Sequence, residues 1–147
     1  RLVRWTFDLA SDTNAIKREP VDDMPGEFPR FDERRSGLPY RHGRFAANAS
    51  RPGDARFDAL VHIDVTNGKR SVYELPGGDA IGEPVFVARS GNAAEGDGWL
   101  VAVAYRAGDD ASDFLVFDAQ DVAAGPIASA RTPRRVPNGF HGNWRAA

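Results

Sequence analysis

Leu60-Val61-His62-Ile63-Asp64 is an alternating run closed by an aspartate, and two other stretches repeat its form: Leu2-Val3-Arg4-Trp5-Thr6-Phe7-Asp8 and Phe114-Leu115-Val116-Phe117-Asp118. Each reads as a strand that ends in an Asp-initiated turn and is followed by a second strand. Taken singly, such an ending is a generic hairpin feature. The spacing turns it into a repeat, because Asp8, Asp64 and Asp118 fall 56 and 54 residues apart. A self-similar period of this size with several short strands per unit predicts a β-propeller.

The rest of the chain agrees with an all-β fold. Fifteen Gly and ten Pro punctuate short alternating runs, of which Trp99-Leu100-Val101-Ala102-Val103-Ala104-Tyr105 is the clearest. No segment keeps a helical apolar period for three turns. The one helical candidate, Ala119 to Ala124, is short enough to be a turn. A propeller closes with ~4–8 blades, whereas this chain holds fewer than three periods. The expectation is an incomplete piece, with 1–147 supplying roughly two to three blades of a single propeller domain. Alone, it should expose blade faces meant for missing neighbours and be poorly soluble.

Composition narrows the function classes. A chain of 147 residues with 41% hydrophobic and 27% charged residues has the make-up of a soluble globular protein. Its 19 basic residues are scattered among 21 acidic ones for a net charge of −2, which gives no footprint for nucleic acid. The densest basic clusters, Arg34-Arg35 and Arg131 with Arg134-Arg135, read as solvated faces. No apolar run approaches the ~20 residues of a membrane span. The absence of cysteine excludes disulfides, thiolate metal sites and a Cys nucleophile, and fits a cytoplasmic location. Any metal must be held by His, Asp or Glu.

The same phasing picks out acidic residues. Glu27 lies 19 residues after Asp8 and Glu83 lies 19 after Asp64; each follows a glycine, Gly26 or Gly82, and leads into a proline-containing strand start. Equivalent positions of successive blades surround a common axis, so the two carboxylates should face one central site. The third repeat has no Glu at that phase but supplies Gly139-Phe140-His141-Gly142 shortly afterwards, and an insertion such as Ala123-Ala124-Gly125 would bring His141 onto the same ring. One imidazole and two carboxylates suggest a metal site, with the carboxylates as ligands or as acceptors that fix the imidazole tautomer. The bland alternatives are a surface histidine in a Gly-rich turn and ordinary strand-start acids. His62 reads as exposed or edge-packed and His42 as part of a polar turn; neither is assigned to metal. Trp5, Trp99, Trp144, Phe28, Phe86 and Phe140 read as core or blade-packing aromatics.

Glu27-Phe28-Pro29-Arg30-Phe31-Asp32, Gly82-Glu83-Pro84-Val85-Phe86-Val87, Glu95-Gly96-Asp97-Gly98-Trp99-Leu100, Leu115-Val116-Phe117-Asp118-Ala119 and Arg135-Val136-Pro137-Asn138-Gly139-Phe140-His141-Gly142 resemble, in order, the C-terminal third of the carotenoid cleavage oxygenases, a family that includes lignostilbene dioxygenases and the retinoid isomerase of the eye. The resemblance implies a seven-bladed propeller with Fe(II) on its axis, held by four histidines, three of them hydrogen-bonded to glutamates. On this basis His141 is the last iron ligand, Glu27 and Glu83 match two of those glutamates, and Phe140 is the substrate-tunnel candidate. The other three histidines belong to earlier blades, so the chain alone should be catalytically inert. The implied reaction is O2-dependent cleavage of a conjugated C=C bond in a carotenoid, apocarotenoid or stilbene to two carbonyl products; membrane-surface contact of the parent stays open. The alternatives are an isomerase or hydrolase of the same family, a propeller binding module without chemistry, and a truncated product with no role of its own.

Overall fold

A computed structural model describes residues 1–51 and 53–145. Among them are strands and two short 3₁₀ turns, Glu33–Arg35 and Val122–Ala124, but no α-helix. The second turn lies inside the stretch whose brevity predicted one.

The strands form three antiparallel groups. A hairpin pairs β1 (Leu2–Phe7) with β2 (Ile16–Asp22). A four-stranded sheet runs in order β3 (Gly26–Arg30), β4 (His42–Ala47), β5 (Ala59–Asp64) and β6 (Lys69–Glu74). In the last sheet, β7 (Ala80–Ile81) and β8 (Val85–Ala88) both pair with β9 (Gly98–Arg106), followed by β10 (Ala111–Asp118) and β11 (Pro126–Arg131). Because β7 and β8 share one edge of β9, this sheet also has four strand positions. The chain thus carries two complete four-stranded propeller blades and a hairpin preceding them.

The sequence repeat has a local chemical cause. Its three members are β1, β5 and β10, and each closing aspartate accepts a hydrogen bond from the backbone N–H two residues on. Asp8 takes that of Ala10 at 3.0 Å, Asp64 that of Thr66 at 3.0 Å, and Asp118 that of Gln120 at 2.8 Å. Such Asx turns reverse the chain without help from elsewhere, so the motif is equally visible in sequence and in structure.

The middle blade is covered on both faces. Ala46, Leu60 and Leu75 pack with Ile81, Leu100, Leu115, Phe117 and Val122 of the last blade. Phe45, Val61 and Ile63 pack on the other side against Leu2, Val21 and Met24 from the hairpin region. Every residue of β5 is buried as a result.

That double coverage corrects the expectation for two histidines. His62 is buried at 9% exposure, neither exposed nor edge-packed. His42 opens β4 and is half-buried, not in a polar turn. Their rings stack with centroids 5.1 Å apart, and His42 Nδ1 lies 2.9 Å from His62 Nε2. Alternation in β5 does separate two faces, but here neither of them meets water.

Burial pushes the His62 pKa from its ordinary 6.5 down to about 4, with the charges of Arg44 and His42 acting in the same direction. Between these values the unfolded chain takes up a proton that the folded chain refuses, so stability should be full above pH 6.5, fall through the window and level off below pH 4. His62→Asn should flatten that dependence of the urea midpoint on pH. Parallel profiles for wild type and variant would remove His62 as its source.

Arg44 is a second buried polar residue of this blade, 1% exposed. It lies over the Phe86 ring at 4.6 Å, while its Nε and Nη2 have no hydrogen-bond partner among the described residues. Burial lowers its pKa to about 10, opposed by the nearby charges of Asp32 and Glu95. Asp32 already has a partner, since Arg34 chelates it with contacts of 2.9 and 2.6 Å. Exchanging Arg44 for Met removes two buried donors that have no partner among the described residues, so unfolding stability should rise by ~1–3 kcal/mol, the cost of leaving such a group unsatisfied. A lower urea midpoint would show instead that its ring stacking and long-range charge contacts dominate.

Two further expectations change. Arg34 also donates to the carbonyls of Ser90, Gly91 and Ala93, clasping the two blades together, so it is not simply a solvated residue. Trp5, Phe140 and Trp144 are exposed, not packed in a core, whereas Phe28 and Phe86 join the core margin between the blades.

Candidate functional site

The innermost strand of each complete blade is broken at the proline motif. In the middle blade the β3–β4 register shifts between Glu27 and Arg30, and Phe28 takes a left-handed backbone with φ 56°. In the last blade, Gly82-Glu83-Pro84 separates β7 from β8. Proline donates no ladder hydrogen bond, so an inner edge is where it can interrupt a strand at little cost. The glycine before Glu27 is sterically required: a Cβ on Gly26 would meet Ala46 O at 2.5 Å and the Phe45 ring at 2.6 Å. The breaks bring Glu27 and Glu83 to one cleft of about 610 Å3. At the Phe28 bulge, two consecutive residues, Glu27 and Phe28, both line it.

The tail after β11 supplies the rest. It is anchored to the last blade by the Val136 N–H, which donates to Ser112 Oγ at 2.9 Å, and by Thr132, whose N–H and hydroxyl both donate to Ser112 O at 2.9 Å. From there it carries Phe140 and His141 along the cleft. His141 Nδ1 lies 3.1 Å from Glu83 Oε1, and the Gly142 N–H donates to Glu83 Oε2 at 2.7 Å.

Glu83 is the buried partner in this pair, with a side chain 5% exposed against 66% for His141. Burial alone would raise its pKa. The Gly142 N–H, the His141 ring and the Arg30 guanidinium outweigh burial and hold the carboxyl below the usual glutamate range. An ionised carboxylate can only accept hydrogen bonds, so Nδ1 of a neutral His141 must carry the ring hydrogen. The lone pair is then on Nε2, which has no hydrogen-bond partner among the described residues. Carboxylate-fixed imidazoles of this kind are a common form of metal ligand.

The donor set fits a metal as one corner of a site. Among the described residues no group of three or more His, Cys, Asp or Glu side chains is placed to hold an ion. Glu27 lines the cleft as an exposed carboxylate and makes no hydrogen bond to His141. The four residues singled out in the sequence, Glu27, Glu83, Phe140 and His141, therefore share one cleft, but only Glu83 and His141 touch through hydrogen bonds.

Two site residues escaped the sequence reading. Phe28 sets its ring edge-on to Phe57, Phe140 and His141, with centroids 5.6, 5.8 and 5.9 Å away, so it walls the cleft as well as packing the blades. Arg30 reaches from β3 to Glu83 Oε1 at 3.0 Å and to Gly142 O at 3.0 Å, and pairs with Glu33. Its proximity to Glu27 in the chain was a hint, but Glu83 and Gly142, the partners that tie it to the site, lie in a different blade and in the tail.

Comparison with known proteins bears on the family and the fold. Residues 1–146 match the family model described as RPE65, retinal pigment epithelial membrane protein. The chain is 32% identical over 144 residues to the apocarotenoid-15,15'-oxygenase of Synechocystis sp., covering 98% of this chain and 29% of that protein. It is 35% identical to lignostilbene-alpha,beta-dioxygenase isozyme III of Sphingomonas paucimobilis, covering 99% and 32%. Among solved structures, the lignostilbene dioxygenase of Pseudomonas brassicacearum superposes with a TM-score of 0.89 at 36% identity, covering 99% of this chain and 32% of that one. Cobalt-substituted Synechocystis apocarotenoid oxygenase also gives 0.89, at 31% identity, covering 99% and 30%. The chain spans about a third of the length of these relatives. A family match along almost its whole length, together with paired blades that superpose on solved oxygenases, places the chain in the RPE65, or carotenoid cleavage oxygenase, family.

Proposed function

We propose that the complete protein is an Fe(II)-dependent oxygenase that splits a conjugated C=C bond of a carotenoid, apocarotenoid or stilbene. The carrying observation is His141: its Nδ1 is tied to Glu83 and its Nε2 is left open at an aromatic-lined cleft. The named relatives act in the same sense, as apocarotenoid and lignostilbene oxygenases. The overall change is balanced, since one alkene and one O2 give two carbonyl products with one oxygen atom in each.

His141 holds the metal through Nε2 in this reading. Glu83 keeps the hydrogen on Nδ1 and makes the ring more basic. Glu27 accepts the corresponding ring N–H of a histidine from an earlier blade. Phe28, Phe57 and Phe140 give the cleft an apolar wall that positions a flat polyene or stilbene and excludes water. Bound Fe(II) supplies the activation of O2. A single imidazole is too few donors for useful affinity, so the 147-residue chain alone should retain no iron and catalyse nothing.

The test is iron content of the complete protein and turnover of a stilbene and an apocarotenal, under isotopically labelled O2 and in the absence of O2. Cleavage with label in both carbonyls supports the oxygenase. Turnover that continues without O2 points to an isomerase or hydrolase, and an iron-free, inactive protein points to a binding module.

A further inference from the structure

We propose that Arg30 is a positioning residue that aims the His141 imidazole by clamping the tail onto Glu83. The inference rests on reading His141 as a metal ligand. Gly142 is gripped through both of its backbone polar groups: its N–H donates to Glu83 Oε2 at 2.7 Å and its carbonyl accepts from Arg30 Nη1 at 3.0 Å. The same Nη1 lies 3.0 Å from Glu83 Oε1, the oxygen that meets His141 Nδ1. Arg30, Glu83 and Gly142 therefore close a ring, and the residue before Gly142 is His141.

Outside that ring little holds the imidazole. Its side chain is 66% exposed, and its other close neighbours are the Phe28 and Phe140 rings. Asn143 extends the same attachment by donating to Glu33 Oε2 at 3.3 Å, and Glu33 is itself paired with Arg30. Arg30 reaches three acceptors in different segments: Glu83 of the last blade, Gly142 of the tail and Glu33 of the following 3₁₀ turn. A planar guanidinium presents fixed donors to all three, whereas the ammonium of lysine is a single point charge. Without the clamp, the tail can swing, carrying the Nε2 lone pair off its line.

Co(II) titration of the metal-free complete protein tests this, with the visible d–d spectrum recorded alongside the thermal midpoint. Arg30→Met should weaken Co(II) binding ~10–100-fold, the usual cost of losing support around a ligand, and change the band pattern while Co(II) still binds. Arg30→Lys should restore only part of the affinity. It also serves as the test variant if Arg30→Met does not fold. Wild-type affinity and spectrum in either variant, beside weakened binding in Glu83→Gln, would overturn the clamp and leave the metal reading intact. A wild-type protein that binds no Co(II) would overturn both.

Discussion

His141→Ala in the complete protein is expected to bring bound iron to background and to abolish cleavage of both test substrates. The loss should exceed the ~10–100-fold that follows removal of an outer hydrogen-bond partner, because the substitution deletes the donor atom itself. Glu83→Gln provides the graded comparison. Glutamine can still accept at one position, but it places an NH2 group where one of the two carboxylate oxygens met His141 Nδ1 or the Gly142 N–H. Its effect should fall within the ~10–100-fold range. The fold should survive the His141 change, since the ring is exposed and belongs to neither hydrophobic cluster. Unchanged iron and turnover in a folded His141→Ala protein would sink the assignment.

The largest effect on stability is expected at Phe117. It is fully buried, belongs to the cluster that joins the two blades, and sets its ring edge-on to Tyr73 with centroids 5.4 Å apart. Tyr73 lies on β6 of the middle blade and Phe117 on β10 of the last, so truncation opens a void between sheets that flanking strands cannot readily collapse. Phe117→Ala should cost ~3–5 kcal/mol, the range for large aromatic deletions in cores, read as a fall in urea midpoint at unchanged slope. A loss below ~1 kcal/mol would mean that the blades can slide together to fill the space.

Features set by neighbours in sequence were legible before the structure. The ends marked by Asp8, Asp64 and Asp118 were legible because each is an Asx turn whose donor is only two residues from the aspartate. The shared phase of Glu27 and Glu83 follows from a proline break in the first strand of successive blades. What could not be read depends on partners far along the chain. Arg30 finds Gly142 across 112 positions. His62 finds His42 across 20 positions, on a strand whose two faces are both covered. The left-handed backbone of Phe28 is likewise invisible to composition, because aromatic residues rarely adopt it and only the surrounding structure imposes it.

The reach of the tail also bears on the order in which the molecule forms. Each blade is a meander whose strands pair with close sequence neighbours, so its ladders can form without waiting for distant segments. By contrast, the carboxylate–imidazole contact spans 58 positions and the Arg30–Gly142 bond spans 112, so each requires a long loop to close first. Mutations at Gly142 or Arg30 should therefore speed unfolding more than they slow refolding, with φ-values near zero. During refolding, a newly compacted chain would have both blades in place before its imidazole is aimed, and metal capture would report the last step of assembly.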